Sequence, residues 1–64
     1  MNWSDTFEIV DGLCEKFPDE DPEKVLFIDL MNMVISLESF EGKKENCNER
    51  TLEAIQSLWI EEKD

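Results

Sequence analysis

Five carboxylates, Glu15, Asp19, Glu20, Asp21 and Glu23, crowd into residues 15–23 of this chain. Oxygen ligands suit hard cations such as Fe, Mn, Mg and Ca, so these residues form the candidate metal-binding set. They lack the layout of a calcium loop, because Asp19-Glu20-Asp21 has no alternating ligand run, central Gly or closing Glu. Any ion here is expected to be held weakly. On the residues alone, a capped and solvated loop has the better claim. Further acids, Glu8 and Asp11, share one helical face with Glu15, each three or four positions from the next. Like charges so placed cost a few tenths of a kcal/mol, by about 0.2–0.5 per pair.

Other chemistries find little to work with. The chain has no His, so a Ser or Cys nucleophile lacks its commonest general base. Cys14 and Cys47 do not make a disulfide framework, and no His is present to complete a metal site with them. Cys47 precedes a helix start, a position that lowers a thiol pKa; Cys14 falls on an apolar face, as a core thiol does. No glycine-rich phosphate loop is present. The reading is of a protein that is not an enzyme.

Asp and Glu number 17 against 6 Lys and Arg, a net charge of −11 in 64 residues. Such a chain repels phosphate backbones and anionic membranes, so neither nucleic acid nor membrane is an expected partner. A basic protein surface is. An acidic mimic that blocks a nucleic-acid binder is a further alternative with the same charge logic. A hydrophobic fraction of 41% argues for a folded globule, and 64 residues leave room for a single domain, residues 1–64, of marginal stability. No basic leader or run of roughly 20 apolar residues occurs, which leads to the expectation of a cytoplasmic, thiol-reducing setting.

The elements that must position these acids are helical. From Ser4 to Phe17, the residues Phe7, Ile9, Val10, Leu13, Cys14 and Phe17 fall within roughly 160° of one another at helical pitch. Ser4 or Asp5 is the expected cap, with Glu8 closing a capping box and Trp3 a hydrophobic staple. Pro18 ends the helix by denying Phe17 helical geometry. Pro18-Asp19-Glu20-Asp21-Pro22 reads as a rigid acidic turn, with Asp21 and Pro22 starting a short helical turn. A central helix is expected with Asp29 as its cap and a stripe of Leu30, Met33, Val34, Leu37 and Phe40, widened by Met31 and Ile35. A polar loop spans Glu41 to Cys47. Asn48 then caps a last helix lined by Leu52, Ile55 and Trp59, with Ala54 and Leu58 extending the edge. The tail Glu61, Glu62, Lys63 and Asp64 is expected to fray.

Together these residues carry a resemblance. Trp3-x-Asp5, Glu8-Ile9, Phe17-Pro18-Asp19-x-Asp21-Pro22, Phe27-x-Asp29-Leu30, Leu37-Glu38-x-Phe40, Asn48-Glu49 and Leu52-Glu53-Ala54-Ile55-Gln56, ending in Trp59, resemble the IscX family across nearly the whole chain. Those are small acidic proteins encoded with the bacterial iron–sulphur cluster assembly machinery. The resemblance implies a mainly α, compact three-helix, modified winged-helix-like fold. It implies an adaptor or regulator that binds the cysteine desulfurase IscS through an acidic face, near the site used by bacterial frataxin. It further implies weak iron binding by exposed carboxylates, with no tightly bound cofactor. Carried over by motif, the partner-binding acids are Asp5, Glu8, Asp19, Asp21 and Asp29; Asp11 and Glu15 join them by position and charge. A monomer is expected, and an iron donor to the cluster scaffold is the alternative function. The sequence departs from the family pattern at Leu26 and Ile28, where Arg and Thr are usual. It also departs at Asn32-Met33-Val34, where an aromatic or His-containing stretch is usual, and in the loop Glu41-Gly42-Lys43-Lys44-Glu45, often a run of Asp.

Overall fold

In a computed structural model, which describes residues 1–63, helix α1 spans Thr6–Lys16, α2 Phe27–Ile35 and α3 Glu49–Lys63. A single 3-10 turn, Lys44–Asn46, interrupts the loop between α2 and α3. The expected mainly α, three-helix domain is what the chain forms. The winged-helix-like part of that expectation rests on the resemblance, since no strand occurs among the described residues to form a wing. The Cα radius of gyration is 10.3 Å, close to the roughly 11 Å that chain length prescribes for a folded domain.

Helices α1 and α3 make the main interface, and α2 closes the core from one side. Ile9, Val10 and Leu13 of α1 meet Leu30 and Val34 of α2 and Leu52, Ile55 and Trp59 of α3. Burying each such side chain contributes about 1.5–3 kcal/mol. Cys14 is half-buried beside this cluster, as a core thiol should be. Phe7 departs from the expectation: it is 75% exposed. A 160° arc is wider than the strip of α1 that its neighbours cover, so its edge residue is left in water.

Helix α1 ends at Lys16, and Phe17, just before Pro18, has left helical geometry with φ −125° and ψ 60°. Its N–H still reaches Leu13 O at 2.8 Å. At the other end Asp5 occupies the cap position without a side-chain bond into the helix. Its Oδ2 instead accepts from the Asn2 N–H at 2.9 Å, so the capping box is not formed. Trp3 joins the buried cluster that includes Ile9 and Val10 of α1. It is buried edge-on to Phe40, with ring centroids 4.8 Å apart, and its indole N–H donates to Lys43 O at 2.7 Å. Met1 adds two further links, donating from its amino nitrogen to Ser39 O at 2.9 Å and accepting from Glu41 N–H at 2.7 Å. The amino-terminal segment is thereby stitched to the loop after α2.

That loop begins earlier than its apolar residues predict. Helix α2 stops at Ile35, and Leu37 and Phe40 pack inward from turns instead of from a continued helix. Leu26, not Asp29, holds the cap position, so Asp29 lies within the first turn, where a carboxylate still favours the helix dipole. Asn48 does cap α3, its Oδ1 accepting from Thr51 N–H at 2.9 Å. Ala54 is exposed and Leu58 half-buried, a narrower edge than expected. Glu61 to Lys63 remain helical, contrary to the expected fraying; Asp64 lies outside the described residues.

Candidate functional site

The acidic turn between α1 and α2 is built from its backbone outward. Glu20 N–H reaches Phe17 O at 3.2 Å and Lys24 N–H reaches Asp21 O at 3.0 Å, giving two successive turns, the second being the single turn expected at Asp21 and Pro22. The Asp21 side chain orders the second by accepting from Glu23 N–H at 3.1 Å. Pro22 is buried, a rigid hinge that fixes the middle of the segment.

Helix α3 holds this turn from behind. Gln56 Nε2 donates to Pro22 O at 2.8 Å and to Val25 O at 3.3 Å. The Lys63 ammonium donates to Pro18 O at 2.8 Å and to Glu20 O at 2.6 Å. These carbonyls would otherwise face solvent or go unpaired. With the main chain so engaged, Asp19, Glu20, Asp21 and Glu23 all stand exposed.

The structure sorts the acids predicted from sequence into several neighbourhoods. Glu20, Asp21 and Asp29 border one open cleft, with Val25 and Met33 also lining it. Asp19, Glu20, Asp21 and Glu23 surround another on the α3 side, together with Lys63. Asp11 borders a groove between α1 and α3 that Phe7, Leu58 and Glu62 also line. Glu15 borders a depression with Glu38 and Leu37, not the clefts of the turn. Glu8 is exposed on α1, while Asp5 is half-buried and engaged with Asn2. Among the described residues, no three His, Cys, Asp or Glu side chains are arranged to hold a metal ion. The proposed metal set is therefore an acidic surface without a preformed coordination shell.

Cys47 behaves against its expectation. Burial pushes its thiol above the ordinary value, and the thiol donates weakly to Asn48 O at 3.9 Å. Desolvation outweighs the nearby start of α3, and the protonated form is favoured. Nothing here resembles an activated nucleophile.

A small acidic helical domain with a pinned, carboxylate-rich turn is matched over residues 1–64 by the family model for iron–sulphur cluster assembly. The chain belongs to that family. The IscX resemblance carried by the motifs is thus upheld across the whole domain. An uncharacterized protein of Pseudomonas aeruginosa is 42% identical over 64 residues, covering 100% of this chain and 97% of that one. For an IscX-family member the site is a surface, and no helix among the described residues is long and apolar enough to cross a membrane.

Sequence reasoning missed Gln56 and Lys63 as the anchors of this surface. A signal for Gln56 does exist. It lies four residues after Leu52 and three before Trp59, both buried, so a polar side chain in that line needs a buried partner. Lys63 gives no such signal, because its partners lie 43 and 45 residues away.

Proposed function

We propose that this protein is a non-enzymatic adaptor that regulates iron–sulphur cluster assembly by docking on the cysteine desulfurase IscS. The acidic face centred on Asp19, Asp21 and Asp29, extended by Glu8, Asp11 and Glu15, engages a basic patch of that enzyme, and frataxin competes for the same patch. Iron is held weakly at the turn carboxylates Asp19, Glu20, Asp21 and Glu23, from which Glu15 lies apart, and tunes the adaptor's effect on sulphur transfer. The protein works in the cytoplasm as a monomer, without a tightly bound cofactor.

One observation carries this reading. The turn's main chain is tied down by Gln56 and Lys63 while its four carboxylates project outward. An ordered acidic surface loses little freedom on docking, and charge complementarity sets association rate and partner choice. The lack of a converging ligand set supports the adaptor over an iron donor to the scaffold.

Reversing both charges with Asp19→Lys and Asp21→Lys should abolish desulfurase binding and leave the far-UV circular dichroism unchanged. A double variant that binds as well as the parent at low salt would place the docking face elsewhere. Ferrous titration followed by NMR separates the donor alternative. Stoichiometric shifts from Glu15 to Glu23 that magnesium fails to displace would favour iron delivery; ready displacement by magnesium reduces the binding to a counterion effect.

A further inference from the structure

We infer that the outward flank of α2 is the apolar anchor of the docking surface, and that its occupant is a protein surface presenting aliphatic side chains within a basic rim. The inference rests on the docking reading above and assigns it a second component. Ile28 is 64% exposed and Leu26, at the cap position of α2, is 66% exposed. Met31 and Ile35, three and seven residues after Ile28, are half-buried. At helical pitch Ile28, Met31 and Ile35 share one flank beside the Leu30–Val34 line that enters the core, and the half-buried Met31 and Ile35 also pack against that core. Asn32 is the polar neighbour on this flank, and Asp29 is the single charged residue of α2. One exposed aliphatic residue would need no explanation. Two together, Leu26 and Ile28, continued by the half-buried Met31 and Ile35 on a helix with one charged residue in a chain of net charge −11, are a different matter.

Acids adjoin this strip on one side, beginning with Asp29, next to Ile28 in the chain. Glu20, Asp21 and Asp29 border the open cleft at the start of α2, where Val25 and Met33 supply apolar lining. An apolar centre with a charged rim is the usual anatomy of a protein interface, and the negative rim specifies a positive one opposite. Charge also excludes the other occupants. A second copy would bring another eleven net negative charges against the first, and nucleic acid or anionic lipid would be repelled likewise. The two components divide the work: acids guide the encounter, and buried aliphatic contacts set how long the complex lasts.

The test is a kinetic comparison of the full chain and its variants on purified cysteine desulfurase at two ionic strengths. Leu26→Ser with Ile28→Ser should keep the parent's association rate and salt dependence but dissociate about tenfold faster or more. Both sites are exposed and Ser caps a helix better than Leu, so the melting temperature should not fall. Unchanged dissociation, with the parent binding normally, overturns the apolar anchor and leaves the acidic docking face standing. A parent that does not bind the enzyme removes both. Size-exclusion in the same buffers supplies the remaining outcome: a dimer dispersed by the double substitution would give the strip to a second copy and overturn the inference.

Discussion

At Gly42 a methyl group would meet aromatic rings. A Cβ built there lies 2.5 Å from Phe40 Cζ and 2.9 Å from Trp3 Cδ1. Phe40 can swing, but Trp3 is fixed by its bond to Lys43 O. Gly42→Ala should therefore cost about 1–3 kcal/mol through overpacking, read as a lower urea midpoint. Asn48→Ala should cost about 0.5–2 kcal/mol through loss of the α3 cap, whereas Asp5→Ala, which removes no cap bond, should cost less in the same measurement. Cys47 yields a third residue-scale outcome. Its raised folded pKa means that the folded state favours the neutral thiol. That stabilisation is present below the unfolded pKa and fades as pH rises through the folded value. Iodoacetamide at mildly alkaline pH should alkylate folded protein severalfold more slowly than urea-unfolded protein; equal rates would show no such shift. The upward direction was hidden from sequence, which displays proximity to a helix start but not burial.

Between elements, the decisive links are the bonds from α3 to the acidic turn. Each net hydrogen bond contributes about 0.5–1.5 kcal/mol, so Gln56→Ala and Lys63→Ala should lower stability modestly. Their larger effect should be local: faster amide exchange across residues 19–25 and weaker desulfurase binding, with α1 and α3 protected as before. Exchange that rises equally throughout would mean that the turn is not held independently. Existence and type of the helices were legible in the spacing of Ile9, Val10 and Leu13, and of Leu52, Ile55 and Trp59. The extent of α2 was not, because Leu37 and Phe40 continue its period while burying themselves from turns. The acidic face was legible as composition. Its anchoring and its division among separate clefts depend on contacts 31–45 residues apart in sequence, which no local pattern records.

Over the whole molecule, charge is the property that connects stability with recognition. A net −11 on a domain of 29 × 21 × 17 Å keeps almost all charge pairs within the screening length of about 30 Å at roughly 0.01 M salt, whereas at roughly 0.1 M that length falls to about 10 Å and many pairs are screened. Raising sodium chloride across that range should relieve self-repulsion and raise the melting temperature, by about 4–8 °C for each kcal/mol recovered. The same screening should weaken docking, so stability and affinity should move in opposite directions with salt. That opposition separates an acidic docking domain from one whose carboxylates serve only solubility. The most direct measurement is titration of the labelled chain with purified cysteine desulfurase at about 0.05 and about 0.3 M salt, spanning the change in screening. Affinity should fall steeply at the higher salt, and Asp19→Lys with Asp21→Lys should remove binding at both. Binding indifferent to both salt and charge reversal would contradict the account.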